Sequence, residues 1–393
     1  MSRHEWESTA RPGLETEDTL QPVSSLGAPP LARDIDYKIQ LVNSFPPPTA
    51  IWRYARLATL ALRPSARLAT VCIGNFDFGK VDRSVSSVHG AWPFRQSVVS
   101  AINFSLSDIV LRDLAKACRT TLKDRGVVHY ISEDIRPFVQ SGSIAVTIHG
   151  NPLATLETAE FYSFRSSYRL ALELNLKLFQ RVATAIVQSH YVLRGLRDFG
   201  YDGKIVVIPP AVDPSFETSI HRSDARRRLG LPAEKRLVLS ISTAERRKNT
   251  SILPKVMNRL PSDFVLLRVG PPIPNAINLG TLPDELMPLA YRASDVLLFP
   301  TLEEGFGLPV IEAFASGIPV VSSDIPVMSE VAGNAAQLVD PVDSKALAAA
   351  CSAAAEGGHD WVERGRLRVR DFSIGALGAR LSLFYRDLRR AAG

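Results

Sequence analysis

The apolar positions of this chain fall into short continuous runs separated by longer stretches with helical spacing, and that alternation predicts its elements. Runs at residues 37–43, 67–73, 127–131, 144–148, 183–187 and 205–208 read as buried strands. Helical spacing fills the intervals at 51–62, around 106–123 and around 160–181. A second series follows, with strands at 236–242, 264–269, 296–299 and 318–321 and a helix ending near Leu260. The chain closes on a helix over about 374–389, where Leu377, Leu381, Phe384 and Leu388 keep helical spacing. Strands alternating with helices predict doubly wound parallel sheets. A length of 393 residues exceeds one ordinary core and fits two such α/β domains.

Residues 1–36 lack this periodicity and contain Pro12, Pro22, Pro29 and Pro30, so a mobile N-terminal tail is expected there. The first domain is then 37–215, the second 216–372, and 373–393 forms the terminal helix, with the interdomain linker near 209–222.

Composition adds limits. Apolar residues make up 46%, an ordinary value for a soluble protein, and no run approaches the roughly 18 apolar residues that cross a bilayer. The polar, acidic N-terminus does not read as a signal peptide. Cys72, Cys118 and Cys351 have neither metal-ligand nor disulfide spacing, which fits a reducing cytosol. The formal charge of +6 is uneven, with a balance of −4 over 1–36, +8 over 37–215 and +2 beyond. A basic first domain could meet an anionic membrane surface or a phosphorylated acceptor, and equally could be a solvated Arg-rich face. Nucleic acid is a poorer fit, since no dense basic run carries interleaved aromatics.

The densest candidate chemistry lies in 300–324. Glu304 and Glu312 bracket Gly305, Phe306, Gly307, Leu308 and Pro309. The strand at 296–299 ends at Pro300; Pro309 suits the first turn of a helix, and Gly317 the left-handed position beyond its end. Glu304 therefore falls on a strand-to-helix loop, and Glu312 in the first turn or so of the helix. In open parallel sheets ligands gather outside the carboxyl ends of the strands, and a helix N-terminus favours phosphate. A carboxylate there is poorly suited to phosphate but well suited to accept hydrogen bonds from sugar hydroxyls.

Residues 304–312, followed by Ala313, Ala315, Gly317 and Pro319, resemble the E-x7-E signature of retaining glycosyltransferases with the GT-B fold, in particular glycosyltransferase family four. The likeness covers 37–390, strongest after 236. It implies two Rossmann-like domains facing across a cleft, with the donor on the second and the acceptor on the first. The turn Thr243-Ala244-Glu245-Arg246-Arg247-Lys248-Asn249 resembles the family's diphosphate site. The resemblance therefore points to Arg247 and Lys248 as cations for the leaving nucleotide diphosphate, with Thr243 standing where many members have Arg. Glu304 would hold the sugar and Glu312 the nucleotide ribose. Gly305, Phe306, Gly307 and Leu308 would line the donor loop, and Leu286 would border the base, although a helical core explains Leu286 equally well. His149, just after the strand at 144–148, would orient sugar or acceptor, whereas His129 reads as structural. Ser189 is a candidate helix cap, and Glu330 reads as structural. The family's first turn is usually glycine-rich; here Pro46, Pro47 and Pro48 offer no N–H groups.

The implied activity is transfer of a hexose, weakly of mannose type, from a nucleotide diphosphate sugar to a glycan, lipid-linked or polysaccharide acceptor, with retention. No cofactor and no metal is expected, and the partners would be the nucleotide sugar and the acceptor. Two other readings stay open on the sequence alone, a GT-B sugar-nucleotide epimerase or hydrolase and a non-catalytic GT-B partner subunit.

Overall fold

The computed structural model describes residues 35–43, 49–64, 66–73, 86–90, 126–133, 143–154 and 165–392. Residues 1–34 of the tail expected over 1–36, the Pro46-Pro47-Pro48 turn and the helix expected around 106–123 lie outside them. Thirteen strands form two sheets among the described residues, and every pairing is parallel. The first sheet comprises β1 (Ile35–Asn43), β2 (Ala66–Ile73), β3 (Ser86–Gly90), β4 (Val127–Tyr130), β5 (Ser143–Ile148), β6 (Thr184–Val187) and β7 (Ile205–Val207). Its order is β3-β2-β1-β4-β5-β6-β7. The second holds β8 (Arg236–Ile241), β9 (Phe264–Val269), β10 (Ile277–Gly280), β11 (Val296–Phe299), β12 (Val320–Ser323) and β13 (Gln337–Val339), ordered β10-β9-β8-β11-β12-β13. Each order reverses once, at β1/β4 and at β8/β11. Ligand crevices open at such reversals, beyond the strand carboxyl ends.

Burial explains the elements. β4, β5, β6, β11 and β12 are buried at every position, as strands covered on both faces must be. Leu239, Leu297, Val310, Ile311 and Phe314 share the core of the second domain. The last helix, Ile374–Ala392, packs Leu377, Leu381, Phe384 and Tyr385 into the core of the first domain, among Ile39, Leu41, Tyr54 and Leu62. Gly378 makes that packing possible, since a Cβ there would lie 2.6 Å from the Ala61 carbonyl oxygen. No helix among the described residues is long and apolar enough to cross a membrane.

Several boundaries differ from the sequence expectation. β1 begins at Ile35, inside the expected tail. The strand expected at 318–321 runs Val320–Ser323, because two fully buried serines continue it; the Ser322 hydroxyl donates to the Phe299 carbonyl at 2.9 Å. The helix expected to end near Leu260 is only Leu253–Met257, preceded by two 3-10 turns around Asn249, whose φ is 52°. Asn249 tolerates the left-handed conformation, and its amide bonds the carbonyls of Pro300 and Pro341. β3, β10 and β13 were not foreseen. β10 and β13 are half-exposed edge strands, and β3 has Val88 as its one aliphatic residue.

Candidate functional site

β8 ends at Ile241 and leads through Ser242 and Thr243 into the 3-10 turn Arg246–Lys248; β11 leads into Thr301 and Glu304. These strands are neighbours at the reversal of the second sheet, so their loops meet. Two bonds on the Arg247 carbonyl tie the loops together, from the Leu302 N–H at 2.7 Å and the Thr301 hydroxyl at 3.0 Å.

Glu304, 7% exposed, sits at the centre. Lys248 Nζ contacts its Oε1, Arg247 donates to its Oε2 at 3.2 Å, and the Thr301 hydroxyl oxygen lies 3.3 Å from Oε1. Arg247 also donates to Glu245 Oε2 at 2.6 Å, and Glu245 Oε1 accepts from the Thr243 hydroxyl at 2.7 Å. Arg247, Lys248, Glu304 and Thr243 are thus one connected cluster. Burial disfavours charge on Arg247, but the carboxylates of Glu304 and Glu245 outweigh it and raise its pKa.

Glu303 was not foreseen. Burial first, and the Glu304 charge beside it, push its carboxyl up to about 7 against the partial relief from Arg247, and its Oε1 is buried without a hydrogen-bond partner. Because the folded-state value lies above the ordinary 4.5, folding holds this proton more tightly. The associated stability is present below about pH 4.5 and lost as pH rises through about 7. Glu303→Gln is expected to remove that slope, by about 1–3 kcal/mol at neutral pH. Melting temperatures measured across the window check it; a variant curve parallel to the wild type would refute it.

The loop continues through Gly305, Phe306 and Gly307 into the helix Leu308–Ala315, with Pro309 in its first turn. Gly307 has φ 99°, a left-handed conformation costly to other residues, and a Cβ there would lie 2.5 Å from the Met328 methyl. Phe306 is buried and meets Phe372 edge-on at 5.4 Å, while Leu308 is half-buried. Gly305 faces the other domain. Its carbonyl accepts the Ser189 hydroxyl at 2.8 Å, and an added Cβ would lie 2.0 Å from the His149 carbonyl oxygen.

Glu312 lies in the second turn rather than the first. It is 6% exposed, accepts the Tyr291 hydroxyl on Oε2 at 2.5 Å, and has Arg53 3.7 Å from Oε1. Burial raises its pKa, opposed by Arg53 and Tyr291. Leu286 precedes the helix Met287–Ala293 and is 37% exposed, so the core alternative does not hold for it.

His149 turns its backbone carbonyl toward Gly305, while its ring is engaged elsewhere. Its Nε2–H donates to the Ile131 carbonyl at 2.6 Å and its Nδ1 accepts from Gln188 at 2.8 Å, leaving neither ring nitrogen free. Burial lowers its pKa to about 4, so the ring is neutral at physiological pH. His129 is fully buried between Tyr385 and Thr147, at 2.7 Å from each, and burial lowers it to about 3. Ser189 caps the helix His190–Asp198 by accepting from the Val192 N–H at 3.2 Å. Glu330 crosses the cleft to that same helix, accepting from the His190 N–H at 2.7 Å and the Tyr191 N–H at 3.2 Å. Arg268, also unforeseen, is 1% exposed and bonds oxygens of Ser240, Ser242 and Pro271, bracing the loops beyond β8 and β9.

The model of the family described as glycosyl transferases group 1 matches residues 236–356, the segment that carries Arg247, Lys248, Glu304 and Glu312. Over this segment the chain is similar to the glycosyl transferases group 1. Over 71 residues the chain is 44% identical to the O-antigen chain mannosyltransferase B of Escherichia coli, covering 18% of this chain and 19% of that protein. Matches to the curated relatives span between 16% and 37% of their lengths. Among solved structures, sucrose-phosphate synthase from Thermosynechococcus elongatus superposes with TM-score 0.72 at 20% identity, covering 90% of this chain and 100% of that one. Anabaena HepE in complex with UDP and glucose superposes with TM-score 0.69 at 15% identity, over 88% and 99%. With the two parallel sheets, these likenesses make the fold GT-B.

Proposed function

We propose that this chain is a glycosyltransferase that moves a hexose from a nucleotide diphosphate sugar to an acceptor hydroxyl with retention at the anomeric carbon. The observation that carries the reading is the contact of Glu304 with both Lys248 and Arg247 at the β8/β11 reversal. A carboxylate for sugar hydroxyls beside two cations for a diphosphate is what the departure of a nucleotide diphosphate requires.

Arg247 and Lys248 would neutralise the charge that grows on the leaving diphosphate, aided by the N-terminus of the helix after Gly307. They would do so in place of a divalent cation. Glu304 would accept from sugar hydroxyls and Glu312 from the ribose. Retention follows if the leaving phosphate oxygen takes the acceptor proton on the face it departs from, which needs no protein base. Full engagement of the His149 ring nitrogens fits a scheme without one.

The likeness to an O-antigen mannosyltransferase supports a mannose-type donor and a glycan or lipid-linked acceptor. Titration of the purified chain with a panel of nucleotide sugars tests the reading. One donor is expected to bind and to be hydrolysed slowly without acceptor. Binding of none by folded protein would overturn the proposal in favour of a non-catalytic partner subunit. Turnover that yields an altered sugar nucleotide and never uses an acceptor would favour an epimerase.

A further inference from the structure

Arg53 belongs to the first domain, yet its guanidinium ends among side chains of the second. It is the fourth residue of the helix Ala50–Leu62, whose N-cap is Thr49. One terminal nitrogen lies 2.6 Å from Asp284 Oδ1 and the other 3.7 Å from Glu312 Oε1. Its Nε is buried without a hydrogen-bond partner. Asp284 lies just ahead of the helix Met287–Ala293, and Tyr291 of that helix bonds the other oxygen of Glu312. Elements of both domains thus converge on one carboxylate.

We propose that Arg53 is a positioning residue of the donor site supplied by the opposite domain. Its guanidinium, anchored on Asp284, holds the Glu312 carboxylate in the form that accepts ribose hydroxyls. The donor site is complete only while the two domains are closed on each other. This inference rests on the assignment of Glu312 to the nucleotide ribose made above.

The physical reason lies in the opposing influences on Glu312. Burial favours its neutral form and Asp284 adds to that; Arg53 and Tyr291 act against it. An ionised carboxylate accepts from both ribose hydroxyls more strongly than a protonated one, which carries an O–H donor and has less acceptor capacity left. At 3.7 Å Arg53 acts mainly through its charge, which buried surroundings screen weakly. Tyr291 takes one acceptor position and leaves the rest. Without Arg53, Glu312 would hold its proton to higher pH, so nucleotide binding would fail earlier on acidification.

Calorimetric titration of the full chain with ADP, CDP, GDP and UDP, from about pH 5.5 to about pH 8, tests this, following the ligand the wild type binds most tightly. Arg53→Gln is expected to weaken binding about tenfold near neutrality and to move the acidic loss of binding up by about one pH unit. Arg53→Lys should restore the pH midpoint while leaving part of the affinity loss. A merely structural role for Arg53 would weaken binding equally at every pH. That result, or wild-type affinity in Arg53→Gln throughout, overturns the inference and leaves the donor site standing. A wild type that binds none of the four overturns the donor-site reading and this inference with it.

Discussion

Replacing Lys248 with alanine is expected to lower the transfer rate by about 10²–10³ at saturating donor, with a much smaller change in melting temperature. Lys248 has a side chain only 14% exposed, in contact with Glu304. Charge placed where water is scarce is worth far more to a developing anion than the same charge in solvent. In the proposed reaction the departing diphosphate would be that anion, so the loss would fall on the transition state and appear in kcat. Stability suffers less, because Glu304 keeps Arg247 on its second oxygen at 3.2 Å and is not left as a lone buried charge. Lys248→Arg keeps the charge but not the compact ammonium, and partial recovery is expected. Steady-state kinetics beside thermal melting decide the matter. A Lys248→Ala rate within threefold of wild type would remove this residue from the chemistry.

The second domain was the more legible half, because its site is written in consecutive residues. Val296–Phe299 is a run of apolar residues ended by proline, and Gly317 adopts the left-handed φ of 67° that its place after a helix implied. The seven positions between Glu304 and Glu312 carry a local geometry that sequence shows directly. Arg53, Asp284 and Tyr291 converge from separate elements, and nothing in their neighbourhoods marks them as partners of Glu312. Glu303 was passed over because its significance lies in burial beside Glu304, which no spacing reports. His149 shows the opposite difficulty. Its position after β5 suggested a ring turned toward ligand, but Ile131 and Gln188, distant in sequence, occupy both nitrogens. Edge strands such as β13 were missed because partial exposure leaves them no continuous apolar run.

Gly305→Ala should show the clearest separation of folding from activity. A Cβ at this position would lie 2.0 Å from the His149 carbonyl oxygen and 3.3 Å from the Gly150 Cα, both in the first domain. Backbone cannot yield at such a distance, so something larger must move. Because the clash lies between domains and not within one, the cheapest response is for the domains to part, breaking the bond from Ser189 to the Gly305 carbonyl. Each domain keeps its own core. Melting temperature should therefore fall by only a few degrees, corresponding to about 1 kcal/mol. Activity should fall by about 10² or more, since a misplacement of about 1 Å between reacting groups suffices for that. Nucleoside diphosphate binding, which would draw mainly on the second domain, should fall less than transfer. Gly270→Ala is the matching control. Its φ is 121°, and its Cβ would lie 2.1 Å from the Ser242 carbonyl oxygen of the same domain. There the strain cannot be relieved by separation, so stability should drop by more than for Gly305→Ala. Circular dichroism melts of the two variants, read with kcat/KM, distinguish the cases. If Gly305→Ala unfolds as readily as Gly270→Ala, or retains full activity, the Gly305 loop is not a closing surface.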